Sequence, residues 1–484
     1  VEKELVETQL ESLKTLGKVI FIEDKVSLNF LYSSELFIAK KVVALSEINE
    51  NSLDRETFES LLDDFQTFND ITYTKAQKKA IYTALNNNFS IITGGPGTGK
   101  TTVIKGLIDI YKMLHNNKVD VDAIKLAAPT GKAAKRLSEA TNLKATTVHK
   151  LLGYDFEGNF KFDEYSALEA KIIIIDEASM LDALLAKKFF SAVSNSTKVI
   201  LVGDANQLPS VGPGDVLNNL IKSRLFECVE LDVIHRQAAD SHIISLAYDI
   251  LNKNINENFF HNYDDKEFIN ANDNFISSRI VEKIKQLIEK GYDFHDDIQV
   301  LIPVYKGYNG IDRINALIQS TFNQENKEYA IKFKDKEFWY NDKVMQLVNQ
   351  PEDNVMNGDQ GTVIGITPND ELIVDYSENI VKYSKKDLDN LTLAYAVSIH
   401  KSQGSEFRSV IMPLTKSYTI MLKRKLLYTG VTRAKEKLIL IGDFDAYRRG
   451  VLGIDRERNT LLNFFLENRN QELNSGQTKI SDFL

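Results

Sequence analysis

The stretch Ser90-Ile91-Ile92-Thr93-Gly94-Gly95-Pro96-Gly97-Thr98-Gly99-Lys100-Thr101-Thr102 decides how the rest of the chain is read. An apolar run of strand character enters a glycine-rich turn, and the turn opens a helix that continues from Thr102 to Leu114. Strand, glycine loop and helix in that order make a phosphate cradle. Glycines let successive backbone N–H groups turn towards one anion, and the helix N-terminus adds partial positive charge. Lys100 is spaced to reach the terminal phosphates of ATP, and the Thr101 hydroxyl to ligate Mg²⁺. A glycine turn that only capped a helix would explain the glycines but not Lys100-Thr101.

Such a loop needs a carboxylate at the end of a neighbouring buried strand, and Ile172-Ile173-Ile174-Ile175-Asp176-Glu177 supplies two. Phosphoryl transfer depends on positioning and charge compensation, which assigns Asp176 to Mg²⁺ and Glu177 to the attacking water. Acids after an apolar strand also serve as helix caps. The phosphate loop upstream favours the catalytic role.

Outward from these motifs, apolar strands alternate with amphipathic helices from Thr74 onward, the pattern of parallel sheets covered on both faces. Strands are expected at Ser90–Thr93, Ile124–Ala127, Lys171–Ile175, Lys198–Val202, Ile298–Ile302, Val410–Met412 and Lys437–Ile441. The fold class is therefore α/β, with two parallel-sheet units in tandem spanning 71–236 and 237–450 and a break near Arg236–Asn252. Short strands and polar turns over about 337–391 indicate a small β-barrel inserted in the second unit. Residues 1–70 read as an N-terminal accessory domain: a helix over Glu2–Leu16, two strands about Glu23-Asp24 and a helix over Ser34–Leu45. Residues 451–484 remain as a C-terminal tail.

The composition sets bounds. At 484 residues the chain exceeds one ordinary domain, and 43% hydrophobic with 26% charged residues is a globular balance. Cys228 is the single cysteine, which excludes an internal disulfide and a cysteine metal cluster and fits a reducing cytoplasm. A net charge of −9 does not exclude a nucleic-acid partner, because the charge lining a narrow groove decides strand binding. The start, Val1-Glu2-Lys3-Glu4, has neither an initiator Met nor an apolar leader core, so no signal peptide is expected, and the chain reads as one trimmed at its start.

Ile175-Asp176-Glu177-Ala178-Ser179-Met180, followed by Val202-Gly203-Asp204-Ala205-Asn206-Gln207-Leu208-Pro209-Ser210-Val211-Gly212-Pro213-Gly214, resembles motifs II and III of RecD-like helicases of superfamily one, the 5′→3′ branch. Thr74-Lys75-Ala76-Gln77, Ala128-Pro129-Thr130-Gly131-Lys132-Ala133-Ala134, Thr146-Thr147-Val148-His149-Lys150-Leu151-Leu152-Gly153 and His235-Arg236-Gln237 resemble further motifs in the family's order. Ser398-Ile399-His400-Lys401-Ser402-Gln403-Gly404-Ser405-Glu406-Phe407 resembles motif V, and Tyr428-Thr429-Gly430-Val431-Thr432-Arg433-Ala434 motif VI. The likeness covers Thr74 to about Asp443. It implies two RecA-like motor domains. It extends to the stand-alone, long-N-terminus members, with a helix-hairpin-helix-rich upstream domain absent here.

The resemblance implies an ATP-dependent helicase moving 5′→3′ on single-stranded DNA and opening duplexes in repair or recombination. It implies that Gly95, Gly97, Thr98, Gly99, Lys100, Thr101 and Thr102 hold ATP with Mg²⁺, and that Gln77 reads the adenine edge. Glu406 would contact the sugar, Gln207 would sense the terminal phosphate, and Arg236 and Arg433 would act as arginine fingers. Thr130, His149, His400 and Ser402 would face the DNA strand. The aromatic run Tyr154–Asp163 around Glu157-Gly158-Asn159 reads as a β-hairpin, and relatives carry at this place (about 154–167) the pin that splits the duplex. Gln477, Ile480, Phe483 and Leu484 resemble a sliding-clamp peptide, although packing within the chain is the slightly favoured reading of that tail. Other classes compatible with the motor core are a strand translocase, an RNA-directed motor and a RecD-type subunit of a nuclease complex. The alternative outside enzymes is a clamp-associated scaffold.

Overall fold

A computed structural model describes residues 3–48, 53–116, 118, 120–155, 157–232, 240–377, 379–418 and 420–475. At the N-terminal side, the helix Lys3–Thr15 buries no residue, and β1 (Val19–Ile22) pairs antiparallel with β2 (Lys25–Leu28). Glu23 takes the left-handed conformation, φ 53°, that a two-residue turn requires. The next two helices do not stand apart from the first large sheet. Asn29–Ser46 sends Ile38, Val42 and Leu45 into one core of the first large sheet, and Arg55–Asn69 sends Phe58, Leu62 and Phe65 into the other.

That sheet comprises β3 (Phe89–Gly94), β4 (Ile124–Ala128), β5 (Ala145–Thr147), β6 (Ile172–Ile175), β7 (Lys198–Gly203) and β8 (Glu227–Leu231). Their order is β5-β4-β6-β7-β3-β8, and every pairing is parallel. The two-residue period of a strand explains the tetra-isoleucine. Ile173 and Ile175 face the core that holds Phe89, Ile91, Val199 and Leu201, while Ile172 and Ile174 face the core that holds Ile92, Ile200 and Val202. Fully burying each such side chain contributes about 1.5–3 kcal/mol relative to exposure.

The second unit begins with the helix His242–Leu251, then β9 (Lys266–Asn270) and β10 (Ile298–Leu301). Next comes an antiparallel hairpin of β11 (Ala330–Phe333) and β12 (Lys336–Trp339), followed by β13 (Lys343–Gln346), β14 (Gln360–Ile366), β15 (Leu372–Asp375), β16 (Ile380–Tyr383) and β17 (Leu391–Leu393). The unit resumes with β18 (Ala396–Val397), β19 (Phe407–Leu414) and β20 (Ala434–Gly442). β18-β10-β19-β20-β9 form the second parallel sheet. The insertion is an antiparallel sheet in the order β16-β15-β14-β13-β17, with its own core of Phe338, Val344, Val363, Leu372, Val374 and Val381. The separate hairpin Ala330–Trp339 shares this core through Ile331 and Phe338, and it starts before the expected bound of about 337.

After β20, the helix Phe444–Leu452 stays on the second core through Tyr447 and Val451. The helix Leu462–Ser475 crosses back and buries Leu462 and Leu466 in the first core. The clamp-like residues Gln477, Ile480, Phe483 and Leu484 lie outside the described residues. Among the described residues, no helix is long and apolar enough to cross a membrane.

Asp342 joins the insertion to the second core. Its carboxylate accepts from the Trp339 N–H and Gln319 Nε2 at 2.6 Å, from Asn323 Nδ2 at 2.8 Å and from the Tyr395 hydroxyl at 2.9 Å. Burial pushes its pKa up from 3.8 to about 6, with the donors opposing the shift. The folded chain therefore holds this proton to higher pH than the unfolded one, and the associated stability is full below pH 3.8 and declines as the pH rises to about 6. Urea unfolding of Asp342→Asn, compared with the parent across that window, is expected to lack this decline.

Candidate active site

The phosphate loop joins β3 to the helix Lys100–Leu114. Gly97 and Gly99 have φ of 72° and 80°, conformations that cost a side-chain-bearing residue. Lys100 Nζ donates to the carbonyls of Gly94 and Gly95 at 2.8 and 3.0 Å, and the Thr98 hydroxyl donates to Gly95 at 2.9 Å. A Cβ at Gly95 would lie 3.1 Å from the hydroxyls of both Tyr248 and Tyr428, so the second unit approaches the loop closely. Gln77 is fully buried; its amide donates to the Thr98 carbonyl at 3.0 Å and accepts from the Thr74 N–H at 3.0 Å. It therefore braces the loop from behind. The Thr102 carbonyl accepts from the Tyr73 hydroxyl at 3.3 Å.

Asp176 and Glu177 follow β6 at the same edge of the sheet. Burial pushes the Asp176 carboxyl up to about 6 and repulsion from Glu177 adds to it, against the Glu177 N–H, Lys100 and Arg136. Glu177 is held at φ 51°, and its Oε2 is buried without a protein donor. Beside the Asp176 carboxyl, Glu177 Oε2 is a buried carboxylate oxygen without a partner, an oxygen chemistry that suits a hydrated Mg²⁺.

Polar contacts sew this edge to the second unit. Asp204, fully buried at the end of β7, accepts from the Tyr428 hydroxyl at 2.7 Å and from Gln207 Nε2 at 3.4 Å. The Leu208 N–H donates to Thr429 Oγ1 at 2.9 Å, and the Leu208 carbonyl accepts from Gln403 Nε2 at 2.9 Å. Arg433 is buried and spreads its guanidinium over the Thr429 and Ser405 carbonyls and Thr432 Oγ1 at 3.0–3.3 Å. Glu406 pairs with Arg136 at 2.8 Å and Lys435 at 3.4 Å. Burial would raise its pKa, but the charges of Arg136, Arg433 and Lys435 hold it below the usual carboxylate range. Pro96, Gly97, Glu406, Thr432 and Lys435 border a cavity of about 280 Å³ between the units. Arg136 escaped the sequence reading; the available signal was its place on the first turns after Thr130-Gly131-Lys132, facing the motif V segment. Arg236 lies outside the described residues.

The four residues assigned to the strand separate in character. Thr130 caps the helix Gly131–Thr141 and lies beside Gly404, where a Cβ would be 2.6 Å from its hydroxyl. His149 packs against Tyr154 and Phe160 at centroid distances of 5.3 and 6.1 Å, and burial lowers its pKa. Burial lowers that of His400 too, with the charge of Arg458 adding. Ser402 is 1% exposed and donates to the Ile399 carbonyl at 2.8 Å, so its hydroxyl turns inward. The hairpin expected at Tyr154–Asp163 is a turn closed by one antiparallel bridge, Tyr154 to Phe160, because Phe160 and Phe162 pack down on the first core rather than extending a blade. Phe156 lies outside the described residues. A cleft of about 850 Å³ separates the helix Gly131–Thr141 from the insertion. It is spanned by Lys132 to Gln360 at 2.7 Å and Lys150 to Asn354 at 3.0 Å, while Lys401 of the second unit bonds Asn357 of the insertion.

Two parallel-sheet units meeting across a phosphate loop fix the architecture, and comparison with known proteins narrows the class. Residues 77–213 match an AAA domain model, 393–441 a UvrD-like helicase C-terminal domain, and 314–376 an ATP-dependent RecD-like DNA helicase SH3 domain. The chain is 33% identical over 374 residues to the ATP-dependent RecD2 DNA helicase of Deinococcus radiodurans, covering 77% of this chain and 49% of that protein. It is 29% identical over 444 residues to the RecBCD enzyme subunit RecD of Buchnera aphidicola, covering 76% and 72%. A solved Pif1 helicase from Bacteroides, in complex with ADP-AlF3 and ssDNA, shares 20% identity over 84% of this chain and 99% of that one, with a TM-score of 0.48. The chain spans about half the length of the Deinococcus relative. Over about three-quarters of its length it is similar to RecD-like helicases of superfamily one.

Tyr428 donates one of the bonds that keep buried Asp204 satisfied. Tyr428→Phe is expected to cost about 1–3 kcal/mol of stability, read as a lower urea midpoint.

Proposed function

We propose that the chain is an ATP-driven DNA helicase that moves 5′→3′ along single-stranded DNA and opens ss/ds junctions in repair or recombination, in the cytoplasm. The observation that carries this reading is the division of one polar site between two units. The loop, Asp176, Glu177 and Gln207 lie on the first, while Glu406 and Arg433 lie on the second, within the same bonded seam. Hydrolysis then requires the units to approach, and that motion is what a strand in the neighbouring cleft would feel.

In this reading Gly95 to Thr102 hold the phosphates of ATP, with Lys100 leaving its loop carbonyls for the terminal phosphate oxygens. Bound Mg²⁺, held by Thr101 and Asp176, supplies charge compensation on the phosphoryl oxygens. Glu177 takes the proton of the attacking water, for which its unpartnered oxygen is free of competing protein donors. Gln207 orients that water, and Arg433, with Arg236, stabilises the charge that develops in transfer. Gln77 acts on the base through the loop it braces. Thr130, His149 and His400 line the strand; Ser402 acts through its backbone, given its inward hydroxyl. Residues 71–236 and 237–450 serve as the two motor domains.

Lys100→Ala is expected to abolish ATP turnover while leaving single-stranded DNA binding largely intact, measured by phosphate release and fluorescence anisotropy. Retained turnover would remove the motor reading. Arg433→Ala is expected to slow hydrolysis by about a thousandfold or more with a small change in nucleotide affinity, because a finger acts mainly in the transition state. Equal losses in rate and affinity would assign Arg433 to ground-state binding. Strand displacement on tailed DNA duplexes separates a helicase from a translocase that never opens base pairs.

A further inference from the structure

The loop Gln207–Gly214 starts at the proposed hydrolysis site and carries an exposed tip. Gln207 is 5% exposed, and Val211 at the tip is 81% exposed. Its far half has little room of its own. A Cβ at Gly212 would sit 2.2 Å from Asp182 Oδ2, and Gly214, at φ 102°, has its Cβ position 2.8 Å from the Ala183 Cβ. The Ala183 N–H donates to the Pro213 carbonyl at 2.8 Å. The alternate carbonyls of Ser210, Gly212 and Gly214 turn the other way, and all three accept from one guanidinium, that of Arg458. The Gly214 contact is 2.7 Å, and a fourth bond runs to the Ser210 hydroxyl at 3.3 Å. Arginine suits this task because its planar fork presents several N–H donors at fixed angles.

Arg458 is carried by a strap that changes allegiance within a few residues. Asp455 accepts from the Lys425 N–H of the second unit at 3.2 Å. Thr460 accepts from Asn219 of the first unit at 2.7 Å, and the Leu461 N–H donates to buried Glu35 at 2.7 Å. Arg458 lies between these anchors. The near half of the same loop is already bonded to the second unit through Leu208 with Thr429 and Gln403. Any rotation of the units is therefore transmitted to both halves of the loop.

We propose that Arg458 is a positioning residue that couples strand occupancy to hydrolysis by fixing the Ser210–Gly214 half of this loop to the strap between the units. It acts through the loop backbone. The inference rests on the helicase reading for its kinetic consequence but not for its structural one. In the full-length chain, Arg458→Ala is expected to lower the ratio of DNA-stimulated to DNA-free ATP turnover by about tenfold, a size usual for coupling residues. Guanidinium ion at millimolar concentration is expected to restore part of the ratio, and hydrogen exchange over 204–216 is expected to rise before any strand is added. An unchanged ratio, or a fall that guanidinium does not relieve and that follows an equal loss of melting temperature, would overturn the coupling role. If the parent chain itself shows no stimulation by DNA, the proposed function falls. The exchange measurement then decides Arg458 by itself: unaltered exchange refutes the clamp.

Discussion

A strand such as Ile172–Ile175 is stable only with apolar cover on both faces, and most of the molecule follows from meeting that demand. The helices Asn29–Ser46 and Arg55–Asn69 are recruited to opposite faces of one sheet. With both faces occupied, the carboxyl ends of the strands are the natural place for chemistry, which is where parallel sheets carry their ligands. Gly94–Thr101, Asp176-Glu177 and Asp204 all lie at such ends. Polar residues can gather there because the loops are not committed to the ladder. A second sheet set against this edge turns an exposed rim into an enclosed seam.

The seam combines satisfaction with incompleteness. Asp204, Arg433 and the Leu208 backbone are fully engaged with neighbours, as groups out of contact with water must be. Glu177 Oε2, Ser179 Oγ and Gln403 Oε1 are exceptions, and Asp176 carries a raised pKa. A protein places such tension where a ligand will relieve it. Glu406 shows the opposite balance, since three cations keep it ionised despite burial.

Much of this was legible in the residues. Each of the seven strands expected from apolar runs appears, most extended by a residue or more at an end, because hydrophobic run length marks the core of a strand and not where its ladder stops. The phosphate loop and its two acids were legible because their chemistry fixes both residue type and spacing. What escaped depends on long-range contact. Nothing local in Leu462–Leu466 says which of two cores it will join, and it joins the first. Arg136 and Arg458 look like ordinary surface charges until Glu406 and the loop carbonyls are placed beside them. Tyr154–Asp163 alternates as a hairpin should, yet its aromatics pack down on the first core and leave one bridge. The resemblance assigned Gln77 to the adenine edge, while its bond to Thr98 could be seen only with the loop folded.

The two lysine–amide links over the cleft have a topological meaning. A long polymer lying between the helix Gly131–Thr141 and the insertion could leave only by sliding out lengthwise, as thread leaves the eye of a needle. A closed ring has no end to offer, so it could enter only through an opened latch. The hydrogen-bond partners of Lys132 and Lys150 are the neutral amide oxygens of Gln360 and Asn354, and such a bond is weaker than one to a charged oxygen. The latch is thus built from weak clasps, and a passing phosphate, which carries the charge the amides lack, is a better partner for each lysine than the one it leaves.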